Sequence, residues 1–201
     1  MSKESSKTRA IFTQDEWRYL TGSGIDIGCG DDPILDTCDR FDMLDGDANY
    51  ICRYVHKSYN WVYSSHCLEH MIDPVSALRE WGRLLLPGGY LIATFPDEDL
   101  YEQGVWPSRF NADHLHTFTI SKRKSWSPVS VNVLDMVKQI KGFDTIKIEL
   151  HDFGYDRSLI GVDQTLGNAM AQIMIILRKH DYGRDSFVLP YASNLSITVC
   201  C

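Results

Sequence analysis

The sequence predicts an α/β fold, a mostly parallel β-sheet with helices on both faces. The first observation is that short apolar segments alternate with amphipathic segments along the 201 residues. The second is the segment Gly24–Gly30, in which a short apolar strand ends in a Gly-x-Gly turn. With 44% hydrophobic residues, the chain has enough apolar side chains for a full core. Because no internal repeat interrupts the pattern, we expect one domain over residues 1–180 and a tail over residues 181–201.

Local signals place the elements of the first half of the chain. Thr13 and Glu16 form a capping box, which predicts a short helix through Leu20. Gly22 and Gly24 end this helix before the first strand. Apolar and aromatic runs predict two more strands, over residues 41–44 and 60–65.

The second half begins with a helix and ends with two strands. Asp73 and Pro74 mark the start of an amphipathic helix that continues through Leu85, and Gly88-Gly89 are expected to stop it. The remaining apolar segments predict a strand over 90–95, a helix over 131–140, and strands over 146–150 and 172–178. Residues 97–128 form a long polar and aromatic segment without clear periodicity, and a loop of this length is usually functional.

Charge and composition exclude several classes of function. The formal net charge of −7 argues against a nonspecific nucleic-acid binder, and the basic run Lys122–Lys124 reads as a solvated loop. No apolar run is long enough for a membrane span, and Met1 to Arg9 lacks the apolar stretch of a secretory signal. The six cysteines include no C-x-x-C pair, which suits reduced thiols. We therefore expect a cytoplasmic protein.

Four sequence blocks together resemble a known enzyme family. They are the Gly24–Gly30 turn, Asp47-Ala48, the Leu68-Glu69-His70 triplet, and the run Leu84–Leu91 with Pro87-Gly88-Gly89. In this order and spacing, from Asp26 to Pro96, the chain resembles the class I S-adenosylmethionine-dependent methyltransferases, in particular the type 11-like branch with a Leu-Glu-His signature. The resemblance implies S-adenosyl-L-methionine as cofactor and a Rossmann-like sheet of the seven-stranded type with an antiparallel last strand.

One departure from the family pattern affects the fold. Only four residues separate Asp42 from Asp47, where related proteins fit a helix and part of a third strand. Either the sheet is shortened around its third strand or one of these two acids is misassigned.

The resemblance also implies the residues that hold the cofactor. An acid at Asp26 would orient the methionyl amino group, and its position between Ile25 and Ile27 makes an unpaired carboxylate costly. Asp42, favoured over Asp45, would accept both ribose hydroxyls, since a carboxylate suits a vicinal diol. The remaining expected contacts are the backbone at Gly28, Cys29 and Gly30, the adenine site at Asp47 and Ala48, and the methionyl end at Ser64, Ser65 and His66.

The acceptor side is expected to come from residues 97–128, interpreted as a lid. The alternative interpretation of this segment is a surface loop that packs its aromatic side chains onto the helix below. His114 and His66 are the candidate general bases, since an imidazole accepts a proton near neutral pH. The candidate substrate-binding residues are Tyr101, Trp106, Arg109 and His116. A guanidinium beside aromatic surface suits a small polar acceptor such as a sugar, methylated on oxygen.

The same segment also suggests other chemistry. His114-Leu115-His116 with Asp113 suggests a metal, but a His-x-His pair without a defined third ligand is weak evidence, and no metal site is predicted. Glu69 and His70 are expected to cap the following helix and support the crevice wall. The partner is expected to be a small-molecule substrate, with nucleic acid and membrane disfavoured and the oligomeric state left open.

The sequence also allows two other functions. The Gly-x-Gly turn also begins the fingerprint of nicotinamide-dependent oxidoreductases, but Pro33 takes the place of the third small residue, and Asp31 and Asp32 would repel a pyrophosphate. The second rival is a methyltransferase-like module that binds cofactor, or nothing, and acts as a scaffold.

Overall fold

A computed structural model describes residues 3–181, and its centre is a six-stranded sheet. The chain order of strands is β1 Gly24–Ile27, β2 Asp39–Phe41, β3 Tyr59–Ser65, β4 Leu85–Pro96, β5 Thr117–Thr119, β6 Ser130–Asn132, β7 Phe143–His151 and β8 Gln172–Lys179. The order across the sheet is β2-β1-β3-β4-β8-β7, and β5 and β6 form a separate two-stranded sheet. The strands β2, β1, β3 and β4 are parallel, whereas β8 runs antiparallel to both β4 and β7. This confirms the mostly parallel α/β fold with an antiparallel strand.

Helices cover both faces of this sheet. They are α1 Glu4–Ile11, α2 Gln14–Trp17, α3 Pro74–Arg83 and α4 Val133–Lys138. On one face Ile25 and Ile27 of β1 pack with Trp81 of α3 and with the apolar residues of α4. On the other face Trp61 and Tyr63 of β3 pack with the segments around α2. Alternate residues of one strand point to opposite faces, so each central strand contributes to two cores.

The capping signals are confirmed. The capping box between Thr13 and Glu16 opens α2, and a 3-10 helix, Arg18–Leu20, follows it. Asp73 caps α3 by accepting a hydrogen bond from Val75 N at 3.1 Å. The expected end of this helix was wrong, because α3 stops at Arg83 and β4 already begins at Leu85.

Gly88-Gly89 lie inside β4 and do not terminate a helix. A Cβ on Gly89 would lie 2.7 Å from the Asn60 carbonyl oxygen of the neighbouring strand. Glycine is therefore needed at this position because two backbones approach closely.

The segment after β2 explains the short spacing between Asp42 and Asp47. The strand expected over 41–44 ends at Phe41, and Met43 and Leu44 are 90% and 102% exposed. Asp42 N donates to Asp45 Oδ2 at 2.9 Å, which closes a turn, and a 3-10 helix Ala48–Arg53 follows. Between Asp42 and β3 the described chain has no further strand, so the sheet has six strands where the family pattern has seven.

Residues 97–128 contain more regular structure than expected. A π-helical turn, Glu98–Glu102, follows β4, and β5 pairs in parallel with β6. The Glu98 carboxylate is buried and accepts hydrogen bonds from Ser125 and Ser130 at 2.7 and 2.5 Å. Thr117 and Lys122 also donate to it, each at 3.1 Å. This fully paired acid ties the segment together.

The last elements differ from expectation at their boundaries. The helix expected over 131–140 is divided into β6 and the shorter α4, and β7 begins at Phe143, three residues early. Apart from residue 181, the tail expected over 181–201 lies outside the described residues. Over residues 3–181, none of the helices combines the length and apolar character that crossing a membrane requires.

Candidate functional site

A cavity of about 820 Å³ opens at the carboxyl ends of β1, β2 and β3. Ligands of open α/β sheets bind at this edge. The lining residues are Gly28, Phe41, Asp42, Met43, Gly46, Asp47, Ala48, His66, Cys67, His70, Met71 and Asp113. Five of the expected cofactor residues, Gly28, Asp42, Asp47, Ala48 and His66, therefore line one cavity.

The turn after β1 depends on Gly28. This residue has φ +75°, and a Cβ built on it would lie 2.7 Å from Cys67 Cβ. Its amide donates to the Phe41 carbonyl oxygen at 2.8 Å, which joins the ends of β1 and β2. Positive φ and close packing together require glycine here. Within the described chain, no helix lies between β1 and β2, so no helix N-terminus faces the cavity as in the dinucleotide fingerprint.

Two acids stand at the mouth of this cavity. Asp42 directly follows β2, and its Oδ2 accepts a hydrogen bond from Gly30 N at 2.5 Å. Asp45 accepts from the Asp42 amide and is not among the lining residues, so the geometry favours Asp42. Asp47 caps the 3-10 helix by accepting from Asn49 N at 2.9 Å, and Ala48 begins that helix.

Asp26 is fully buried in β1 and does not line the cavity. Its Oδ2 accepts a hydrogen bond from Ile34 N at 2.7 Å, but its Oδ1 has no partner among the described residues. Burial raises the pKa of Asp26 to about 8. The loop beyond Gly30 is tied to α1, where Ser6 N donates to Asp32 Oδ2 at 2.8 Å and Arg9 pairs with Asp32 at 2.9 Å.

Four other expected contacts lie inside the structure or away from the cavity lining. Ser64 Oγ donates to the Ile27 carbonyl oxygen at 2.9 Å, and Ser65 Oγ accepts from Thr94 at 3.0 Å. Cys29 is buried, which raises the pKa of its thiol to about 11. Gly30 binds Asp42 through its amide. These residues shape the edge of the sheet.

The residues after β3 bring imidazoles and a carboxylate together. His66 has φ +51°, an uncommon conformation for a residue other than glycine that often marks functional sites. Its Nε2 lies 2.8 Å from Gln172 Oε1, and its Nδ1 lies 3.6 Å from Glu69 Oε1. Glu69 is buried and its pKa is raised well above the usual value by desolvation. The N-cap of α3 is Asp73, so the expected capping role of Glu69 and His70 was wrong.

His114 lies behind the cavity wall rather than on it. Its side chain is 2% exposed, and its Nδ1 lies 2.9 Å from Glu102 Oε1. Burial lowers the pKa of His114 to about 4 and raises the pKa of Glu102 to about 8. The Tyr101 ring stacks on His114 with ring centroids 5.2 Å apart. Glu102 has no local sequence signal, because its contact with His114 forms only through the fold.

The expected lid residues lie beside this cluster. Tyr101 contacts Phe110 edge to face at 5.8 Å, and Arg109 lies over the Phe110 ring at 5.4 Å. His116 Nε2 lies 3.2 Å from the Ile72 carbonyl oxygen. Trp106 is half-buried. Asp113 is the one described residue of the 97–128 segment that lines the cavity, so none of the four expected substrate residues does.

Comparisons with known proteins agree with this architecture. Residues 9–126 match the family model described as methyltransferase domain, which covers more than half of the chain. No curated protein sequence gives a significant match.

Solved structures give the same fold at low sequence identity. A putative sarcosine dimethylglycine methyltransferase from Galdieria sulphuraria has TM-score 0.54 and 12% identity, covering 88% of this chain and 86% of that one. A SAM-dependent methyltransferase from Archaeoglobus fulgidus has TM-score 0.53 and 17% identity, covering 89% and 95%. A SAM-dependent methyltransferase from Thermotoga maritima, described as a possible histamine N-methyltransferase, has TM-score 0.51 and 16% identity, covering 88% of each chain.

Replacing Asp26 by Asn should remove part of the pH dependence of stability. The pKa of Asp26 is about 8 in the folded chain against an ordinary value of 3.8, so between these values the folded state keeps a proton that the unfolded state releases. The free energy of unfolding then falls as pH rises, by up to about 1.4 kcal/mol per pH unit for one group. Urea unfolding from about pH 5 to about pH 8 should show the wild type losing stability relative to Asp26→Asn.

The control for this comparison is Asp135→Asn, which changes an acid that is 69% exposed. Its stability should run parallel to that of the wild type over the same pH range. Parallel curves for Asp26→Asn as well would contradict the interpretation.

Proposed function

This chain belongs to the methyltransferase domain family and is an S-adenosylmethionine-dependent methyltransferase, and on that premise we propose that it methylates a hydroxyl oxygen of a small or mid-sized polar metabolite. The preferred acceptor is a sugar or a related compound. One observation carries the placement of its cofactor. The cavity lined by Gly28, Asp42 and Asp47 lies next to a buried acid, Asp26, that has an oxygen without a partner.

The donor set fits this cofactor. The buried Oδ1 of Asp26 has no hydrogen-bond donor among the described residues, and a ligand ammonium group that reached it from the neighbouring cavity would supply one. Asp42 at the end of β2 offers a carboxylate to a vicinal diol, and Asp47 with Ala48 would hold the adenine edge. The acidic side chains at these positions attract a cationic ligand and repel a diphosphate. The bound cofactor supplies an electrophilic sulfonium methyl group.

The chain's own residues then orient the acceptor and take its proton. We assign proton acceptance to His66 rather than to His114, because His66 lines the cavity and His114 does not. Gln172 Nε2 donates to Thr8 at 3.0 Å, so Gln172 Oε1 is left to accept from His66 Nε2. The free lone pair of His66 is therefore on Nδ1. Because this hydrogen bond fixes the His66 ring, less conformational entropy is lost when the ring is positioned for the reaction.

The acceptor class rests on the segment 97–128, which we propose as the substrate lid of one domain over residues 1–180. Tyr101, Phe110 and Arg109 form a contiguous aromatic and cationic surface. Such a surface suits a polar ring compound with an anionic group. Trp106 and His116 would extend it. We further propose that this enzyme acts in the cytoplasm on a free metabolite and has no membrane partner. The net charge of −7 disfavours a nucleic-acid partner.

Cofactor binding should depend on the absence of a side chain at Gly28. Gly28→Ala should weaken binding of S-adenosylmethionine and S-adenosylhomocysteine by about tenfold or more, because the new Cβ meets Cys67 and displaces the turn. Gly104→Ala is the matched control, since Gly104 has a similar φ of +78° but no atom within 4 Å of its Cβ position. Titration calorimetry should give this control an affinity within about twofold of wild type.

Two results would contradict this prediction. One is an equal loss of affinity in the two variants. The other is no heat from either adenosyl ligand with the folded wild type, which would remove the cofactor assignment itself. Nicotinamide dinucleotides should give no heat.

The acceptor is tested by transfer of a labelled methyl group to separated metabolite, RNA, protein and lipid fractions. We expect label in the metabolite fraction. Arg109→Ala should reduce transfer to an anionic metabolite by about tenfold, since it removes a charged contact. Arg123→Ala, an exposed arginine of the same segment, is the control and should leave transfer unchanged. Label confined to RNA or protein would overturn the choice of acceptor.

A further inference from the structure

Glu69 is a buried acid without a hydrogen-bond partner. Its side chain is 1% exposed, and neither carboxylate oxygen has a donor among the described residues. Glu98 is equally buried but accepts from four side chains. A buried carboxylate left without donors is unfavourable, because its lost hydration is not offset by a hydrogen bond or an ion pair. The contrast indicates that Glu69 is placed to meet something other than a protein donor.

The Nε2 atoms of two neighbouring imidazoles lie close to this carboxylate. His70 Nδ1 lies 2.9 Å from the Asp113 carbonyl oxygen, so Nδ1 carries the proton and donates it. His114 Nδ1 lies 2.9 Å from Glu102 Oε1, and with the ring proton on Nδ1 it donates to that oxygen. The unprotonated Nε2 atoms of His70 and His114 then lie 4.0 and 3.9 Å from Glu69 Oε1.

These contacts match the hydrogen bonds that usually orient the histidine ligands of a metal ion. A ligating histidine commonly donates its other ring proton to a carboxylate or a backbone carbonyl, which fixes the tautomer and the ring orientation. Glu102 does this for His114, and Asp113 O does it for His70. The stacked Tyr101 ring and the edge contact between the His70 and His114 rings, at 5.1 Å, hold the imidazoles further.

The three ligand atoms also have suitable spacing. One atom from each of Glu69, His70 and His114 lies within 4.8 Å of the other two. An ion with bonds of about 2.1 Å needs ligand atoms roughly 3.0–3.5 Å apart, which small side-chain movements would reach.

We propose that Glu69, His70 and His114 bind a divalent transition-metal ion such as Zn²⁺, Mn²⁺ or Fe²⁺ at the wall of the cavity. Two imidazoles and one carboxylate form the N₂O donor set that these ions accept with open positions. His70 is 31% exposed and lines the cavity, whereas Glu69 and His114 are buried behind it. The open positions would therefore face the cavity.

The role of the ion in turnover rests on the proposed function. A divalent ion would hold the acceptor hydroxyl oxygen and favour its ionised form. In the transfer, the acceptor O–H bond breaks and its proton passes to His66. A bond forms between oxygen and the methyl carbon while the methyl–sulfur bond breaks, which leaves the demethylated cofactor.

Metal binding is tested with Co²⁺, Mn²⁺ and Zn²⁺ on the full chain after chelator treatment. Titration calorimetry and elemental analysis should give one ion per chain, and Co²⁺ should produce visible absorption bands. Glu69→Gln and His114→Ala should each weaken Co²⁺ binding by more than about a hundredfold, beyond the effect expected for orienting contacts alone. Glu102→Gln should weaken it by about tenfold. His56→Ala, which changes an exposed histidine elsewhere in the chain, should leave it unchanged.

Binding of S-adenosylhomocysteine, measured on every variant, separates the two proposals. If the wild type does not bind S-adenosylhomocysteine, the proposed function is overturned and the proposed metal site is unaffected. Unchanged Co²⁺ affinity in Glu69→Gln and His114→Ala, or no stoichiometric binding by the wild type, would overturn the metal site. Where a variant fails to fold, the absorption spectrum of Co²⁺ with the wild type decides, because nitrogen ligation shifts the bands from those of the aqueous ion. Stoichiometric binding with no effect on methyl transfer would overturn the role in turnover.

Discussion

Two buried carboxylates that each have an unpaired oxygen, at one edge of the sheet, are the constraint on which the site depends. Asp26 and Glu69 each have an oxygen without a hydrogen-bond donor among the described residues, and burial raises the pKa of both. In an otherwise well-packed chain such groups reduce stability, since their charged forms lose water without gaining a partner. A ligand cation or hydrogen-bond donor that pairs with these oxygens removes this desolvation cost, and the free energy recovered favours binding. A cation that reaches these oxygens from the neighbouring cavity, whose wall includes Gly28 and His70, would thus be bound selectively.

The short connection between β2 and β3 gives this edge its shape. In place of a helix and a strand, a turn held by Asp45 and a 3-10 helix capped by Asp47 lead back to β3. Asp42 and Asp47 therefore stand at the same cavity mouth although only four residues separate them. The departure from the family pattern shortens the sheet without dispersing the proposed cofactor site.

The sequence predicted those parts of the structure that depend on local signals. The capping acids Glu16 and Asp73 and the Gly28 turn were readable, because their physical causes lie within a few residues. The final antiparallel pair was expected only from the family resemblance, since its strands pair residues 21 to 36 positions apart. The sequence did not predict the buried network around Glu98, because its donors are 19 to 32 residues away. The contact of His114 with Glu102 and Glu69 was missed for the same reason. A His-x-His pair carries no information about a glutamate 45 positions earlier until the fold brings them together.

The most direct test of this account is the number of protons released when S-adenosylhomocysteine binds near pH 7. Calorimetry in two buffers of different ionisation enthalpy measures that number. An Asp26 with a pKa of about 8 in the free chain should lose its proton to pair with the ligand ammonium group. We expect release of about one proton by the wild type and about one fewer by Asp26→Asn. Binding with the same proton release in both proteins would show that Asp26 does not meet the cofactor and would contradict the account.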